Sequence, residues 1–172
     1  MDISVVEGDI TEMDVDAVVN AANRRMRGGG GVDGAVHAAA GPDLMRECVE
    51  RFPHGIETGE AGWTSGHLLP ARWVIHVVGP NYTAGETNRE LLVGCYVNAL
   101  AVADELGAET VAFPLVSAGI YGWPRADAIA AAVDTLRSTP TSVRSALLVA
   151  FGATVREEIE DYLSSTGTQA PS

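Results

Sequence analysis

The sequence predicts an α/β domain with helices packed on both faces of a largely parallel sheet. Three observations carry this. Short apolar, often β-branched runs alternate with longer stretches of helical periodicity. The 172 residues are 47% hydrophobic and 20% charged, enough for one domain with a real core. Segments rich in glycine or small polar residues follow three of the apolar runs, as expected of loops at strand ends.

In chain order, strands are expected at residues 3–6, 17–20, 62–66, 73–78, 110–114 and 146–151. Their continuous apolar character suits strands covered on both faces. Helices are expected at 32–40, 42–51, 88–106, 124–138 and 154–163. In the long helix from Asn88, Leu91, Leu92, Cys95, Leu100, Val102 and Ala103 recur near helical spacing, and Gly107 supplies a stop. Pro124 suits a first helical turn, where a missing N–H costs nothing. No repeat or linker divides the chain, so residues 1–163 read as one domain. Residues 164–172 are small and polar and read as a flexible tail.

Composition narrows function. A net charge of −12 argues against a basic nucleic-acid footprint and against docking on an anionic membrane. A phosphate-bearing ligand would have to be held by backbone N–H groups and helix N-termini. The two cysteines, Cys48 and Cys95, form neither a disulfide framework nor a zinc motif, which points to a reducing compartment. The acidic N-terminus has no signal-peptide pattern, and no apolar run reaches the ~20 residues of a membrane helix. A cytoplasmic protein is the expectation.

Two segments have the material of an anion cradle. The first is Asn20-Ala21-Ala22-Asn23, followed by Gly28-Gly29-Gly30-Gly31-Val32-Asp33-Gly34. Consecutive glycines between a strand and a helix let the backbone approach a ligand closely, just before a helix N-terminus that favours an anion. Asn23 reads equally as a turn residue and as a polar group at the loop's start. Asp33 reads equally as a helix cap and as a catalytic carboxylate. The second segment is Ser117-Ala118-Gly119-Ile120-Tyr121-Gly122-Trp123-Pro124, also between strand and helix. Trp123 is open between packing on a ligand and plugging the domain. A third signal is Gly8-Asp9-Ile10-Thr11, in which Asp9 either caps the next segment or accepts from an exocyclic amine such as that of adenine. Loops after the first, second and fifth strands suggest one elongated cleft for a nucleotide diphosphate with a second sugar.

These motifs resemble the macrodomain family, in the spacing of its MacroD-type branch, as do Leu69-Pro70-Ala71 and Val74-Ile75-His76-Val77-Val78-Gly79-Pro80. The likeness covers roughly residues 2–163. It implies a three-layer α/β/α sandwich around a mixed sheet, with ADP-ribose as ligand. It also implies hydrolysis of acyl-ADP-ribose esters without a metal or cofactor: ADP-ribose linked to acidic protein side chains, and O-acetyl-ADP-ribose. By the same resemblance Asp9 meets the adenine amine, Ile10 packs beside the adenine and Phe151 stacks on it. Gly30, Gly31 and Val32, with Ser117, Ala118, Gly119, Ile120 and Tyr121, wrap the diphosphate and distal ribose. Asn23 contacts that ribose and Asp33 stands at its reacting end. Trp123 occupies a place near the distal ribose where relatives often carry phenylalanine.

For ester hydrolysis, Asp33 is the candidate to orient or deprotonate water, and Asn23 to fix the ribose hydroxyls. At a helix start the carboxylate is expected to stay ionised, without a strongly raised pKa. His37 reads as an ordinary helix residue, His76 as a hydrogen-bonded core histidine, and both cysteines as packing residues. Glu60 is unassigned. The first rival is a non-catalytic ADP-ribose reader. The second is a dinucleotide-dependent dehydrogenase, which would need an acidic residue at a strand end about 20 positions past the glycines. Residues 45–52 are helical in pattern instead.

Overall fold

The computed structural model describes residues 1–167. Its elements run β1 (Asp2–Glu7), β2 (Ala17–Ala22), α1 (Gly31–Ala40), α2 (Pro42–Arg51), β3 (Ala61–Ser65), β4 (Trp73–Val78), α3 (Arg89–Leu106), β5 (Thr110–Phe113), α4 (Arg125–Ser138), β6 (Ser145–Ala150) and α5 (Ala153–Gly167). Each expected strand and helix is present, with small shifts at the ends. Pro124 sits one position before α4, at its cap, and its carbonyl accepts from Ala128 at 2.9 Å. Helix α5 continues to Gly167, so residues 164–167, expected in the tail, are helical. Arg137 holds this last stretch, donating to the Leu163 carbonyl at 2.9 Å and to the Thr166 hydroxyl. The rest of the expected tail, 168–172, lies outside the described residues.

The six strands form one sheet in the order β1-β6-β5-β2-β4-β3. All neighbours pair parallel except β3, which lies antiparallel on the β4 edge. A short link of residues 66–72 joins these two strands; too short for a parallel crossover, it can only return the chain antiparallel.

Side chains alternate across the sheet. Val19, Ile75, Val77, Val111, Phe113 and Leu148 pack with α3, α4 and α5 on one face. Val18, Ala22, Val74, Ala112 and Val149 pack with α1 and α2 on the other, against Val36, Leu44 and Cys48. The result is a three-layer α/β/α sandwich.

Because β1, β6, β5, β2 and β4 run the same way, the loops after them all emerge at one edge. Three strand spacings of about 4.8 Å separate β1 from β2, so the loops after these two strands lie about 14 Å apart.

Candidate active site

The loop from β2 to α1 is shaped by its glycines and pinned by side chains. Gly28 and Gly31 take φ of +83° and +60°, the left-handed region that suits glycine. Gly34 lies so close to the loop that a Cβ there would meet the Gly29 carbonyl oxygen at 2.6 Å. Asn23 donates from Nδ2 to the Gly28 carbonyl at 2.9 Å, and its Oδ1 accepts from the Arg25 N–H at 3.1 Å. The Arg27 guanidinium donates to the Met26 and Cys48 carbonyls at 3.2 and 3.4 Å, and to the Phe52 carbonyl at 3.0 Å. A cation among carbonyls at the end of α2 also complements the helix dipole there. No side chain caps α1 at Gly30, so its first N–H groups are left for a ligand. Val32 turns its side chain to the core and can offer a ligand only backbone.

Asp33 points inward and is 4% exposed. Its Oδ1 accepts from Asn20 Nδ2 at 2.8 Å and lies 3.4 Å from His37 Nε2. Asn20 and His76 are register partners on β2 and β4, which brings Asn20 Nδ2 to 3.1 Å from His76 Nδ1. With Nδ1 accepting, the His76 proton sits on Nε2 and is donated to Thr64 Oγ1 at 3.0 Å. Burial holds His76 neutral, its pKa lowered to about 3.

Burial likewise raises the Asp33 pKa above the ordinary carboxylate value, opposed by the Asn20 N–H and by His37. At the start of α1, desolvation thus sets an upward direction for this carboxyl, against the pull of the helix dipole. Asp33 Oδ2 remains on the loop side. It lies 3.2 Å from where a Gly29 Cβ would sit, and so does Asn23 Nδ2. The two candidate catalytic residues thus flank Gly29.

The loop from β5 to α4 is held differently. The buried Tyr96 hydroxyl of α3 accepts from the Val116 N–H at 3.0 Å and donates to the Pro114 carbonyl at 3.4 Å. Ser117 sits at φ +66°, rare for a residue with a side chain, and its buried Oγ has no hydrogen-bond partner among the described residues. Gly79 makes room for it, since a Cβ there would meet Ser117 Oγ at 2.2 Å. The N–H groups of Gly119, Ile120 and Tyr121 have no partner among the described residues, while Ala118 turns its side chain to the core. Ile120 is 73% exposed and rests over the glycine loop, its Cδ1 3.4 Å from a Cβ built at Gly30.

Of the two readings of Trp123, its packing favours the plug. It is 4% exposed, and its indole N–H donates to Asp127 Oδ2 at 2.9 Å. Its ring meets Tyr82 edge-on with centroids 5.2 Å apart. Its one polar atom is thereby engaged within the protein.

At the β1–β6 end, Asp9 caps the short 3-10 turn Ile10–Glu12, accepting from Thr11 N–H at 2.9 Å and from the Thr11 hydroxyl at 2.7 Å, both on Oδ1. This is the capping role, and it leaves Oδ2 without a bond among the described residues. Gly8 N–H donates to the Ala150 carbonyl at 3.1 Å, which puts Asp9 next to Phe151. Ile10 is buried in the core on the α1–α2 side, and Phe151 is 73% exposed. At the β2–β4 end, a cleft of about 670 Å³ is lined by Asn23, Arg24, Arg25, Gly79, Glu86 and Tyr121, among others.

Sequence reading placed Asn20 in the glycine-loop segment without a role of its own, and missed Arg27 and Tyr96. An amide inside an apolar strand must be hydrogen-bonded when buried, and that was the available signal for Asn20. Nothing local marks Arg27 or Tyr96, whose partners come from other elements. Both cysteines are buried packing residues, their thiols pushed up to about 11 (Cys48) and about 12 (Cys95) by burial. Residues 45–51 are in α2, which removes the strand-end acid a dehydrogenase would need. No helix among the described residues is long and apolar enough to cross a membrane.

The family model described as "Macro domain" matches residues 19–132. A macro domain-containing protein of Streptomyces coelicolor is 50% identical over 159 residues, covering 90% of this chain and 94% of that one. A protein of Escherichia fergusonii named O-acetyl-ADP-ribose deacetylase is 50% identical over 137 residues, covering 78% of this chain and 77% of its own. Among solved structures, a Trypanosoma brucei macrodomain in complex with ADP-ribose superposes with a TM-score of 0.84 at 38% identity, over 94% of this chain and 68% of that one. With its sheet order, its glycine loop and these likenesses taken together, the chain belongs to the macro domain family.

Proposed function

We propose that this chain binds ADP-ribose and hydrolyses its acyl esters, both O-acetyl-ADP-ribose and mono-ADP-ribose on acidic protein side chains. The observation that carries this is the pair Asn23 and Asp33, each with a polar atom within 3.2 Å of the Gly29 Cβ position. The names of the Escherichia fergusonii and Trypanosoma brucei relatives support it. Adenine lies between Asp9 and Phe151, and the diphosphate meets the open N–H groups of the two loops. The distal ribose meets Asn23. Charge on the phosphates is balanced by backbone dipoles, so a chain of net charge −12 can hold them without a metal.

Asp33 orients the attacking water from Oδ2, while Asn20 holds Oδ1 fixed. Water adds to the ester carbonyl, and the bond from that carbon to the ribose oxygen breaks. The ribose regains its hydroxyl, and the acyl group leaves as a carboxylate with its proton released to solvent. The raised pKa also makes Asp33 a better proton acceptor than an exposed aspartate.

The second reading is an ADP-ribose reader, favoured by the burial of Asp33 and its bond to Asn20, which give this carboxylate a structural role. The test is turnover of O-acetyl-ADP-ribose and of a protein mono-ADP-ribosylated on glutamate, in the presence of a chelator. Release of ADP-ribose from both supports the hydrolase. Tight ADP-ribose binding with both esters left intact establishes the reader.

A further inference from the structure

All eleven cationic side chains of this protein are arginines. Ten engage a carboxylate, a backbone carbonyl or an aromatic ring of the protein. Arg25 differs. It is exposed, and among the described residues nothing meets its guanidinium. Its backbone is nonetheless fixed, since its N–H donates to Asn23 Oδ1 at 3.1 Å. Beside it, Arg24 is held by Glu86 and donates to Thr58 Oγ1 at 3.0 Å.

Both arginines line the cleft that Asn23 shares with Gly79 and Tyr121. This cleft lies over the ends of β2 and β4, whereas Asp9 and Phe151 lie over β1 and β6 at the other end of the site. With the base at the β1 end and the distal ribose at Asn23, Arg25 stands at the ribose end of the site, on the wall of the cleft that Asn23 also lines.

We propose that Arg25, with Arg24 beside it, is a docking rim for an acidic polypeptide segment that bears the ADP-ribosyl ester. The proposal rests on the hydrolase reading above and names its preferred substrate: a protein with further carboxylates flanking the modified residue. A guanidinium pairs with a carboxylate through two parallel hydrogen bonds, and a free one at a fixed backbone position is ready to do so. A nucleic-acid end fits less well. Its phosphates recur every few ångströms and demand several cations, whereas this rim has one unengaged arginine, enough to pair with a flanking carboxylate.

The test compares kcat/KM on four substrates. They are O-acetyl-ADP-ribose, a glutamate-ADP-ribosylated peptide with flanking glutamates, the same peptide with flanking glutamines, and a single-stranded DNA with an ADP-ribosylated end. Wild type is expected to favour the acidic peptide over the neutral one about fivefold, through KM, with the preference fading as salt rises. Arg25→Gln should abolish the preference and Arg25→Glu reverse it, with O-acetyl-ADP-ribose turnover unchanged within about twofold. Equal kcat/KM for the two peptides in wild type overturns the proposal. So does an equal loss on every substrate in Arg25→Gln, or an Arg25 dependence seen only with the DNA end. If wild type cleaves none of the esters, the hydrolase reading fails, and the Kd values of the two peptides decide the rim: about fivefold tighter binding of the acidic one supports it, and equal Kd overturns it.

Discussion

On one side of the sheet, α3, α4 and α5 pack alanines, leucines and Phe113 into an apolar layer. On the other side, α1 and α2 cover a layer in which Asn20, Asp33, Thr64 and His76 are buried together with apolar neighbours. Both layers hold fully buried side chains, yet they differ in what burial does. In the apolar layer it supplies stability in proportion to area and shape fit. In the polar layer it couples Asn20, His76, Thr64 and Asp33 through hydrogen bonds and shifts the proton affinities of His76 and Asp33, which fixes the geometry of Asp33 at the glycine loop. The contrast teaches that one layer is built for packing alone, while the other also fixes the position of the Asp33 carboxylate.

The largest expected effect breaks the polar face. Asp33→Ala should cut ester turnover by about 10²–10⁴-fold while ADP-ribose affinity, measured by calorimetry, moves by no more than about threefold. An equal fall in both would remove Asp33 from the chemistry. Asp33→Asn sharpens the point: it keeps an oxygen for orienting water but not the basicity. Turnover close to wild type means orientation dominates, and a loss as large as that of Asp33→Ala means proton transfer does.

On the apolar face, Leu100→Ala should destabilise the fold by about 2–5 kcal/mol in a urea titration, with turnover per folded molecule retained. Lost turnover at equal folded fraction would mean the two faces are not separable.

A smaller effect probes the polar face by pH. The His76 pKa falls from 6.5 to about 3 on folding. Its contribution to stability is therefore complete above 6.5 and is lost as pH falls toward 3, because the unfolded chain takes up a proton that the folded one refuses. Between pH 6.5 and 5 this amounts to about 2 kcal/mol. His76→Gln should lack that loss, and an identical acid slope in both proteins would refute the assignment.

Asp33 works in the opposite sense and should give the smallest effect. Its folded pKa is raised, so its contribution is complete below the unfolded value of 3.8 and is lost as pH rises through the folded one. Compared with Asp33→Asn, wild type should therefore lose relative stability toward neutral pH. A constant difference across that range would contradict the desolvation of Asp33.

Much of this was legible in the chain. Hydrophobic runs and glycine or proline punctuation located all six strands and five helices, because burial on two faces and helical periodicity are local in sequence. Asn23, Asp33 and the glycines between them were legible as a loop with polar ends, because strand, glycine run and helix start follow one another directly. The role of Trp123 was not, since its partners Asp127 and Tyr82 depend on how α4 and the segment after β4 meet.

By itself, then, the sequence determined the α/β architecture, the glycine cradle, and the need to hold anions with backbone N–H groups in a chain of net charge −12. The tertiary structure alone decided that β2 lies beside β4, so that Asn20 meets His76 and turns one oxygen of Asp33 inward. It also decided that Arg25 stands without a partner among the described residues, at the cleft beyond Asn23. The physical reason is the same for both. A proton affinity or an unmatched charge depends on which groups lie within a few ångströms through space, and strand order sets those neighbours.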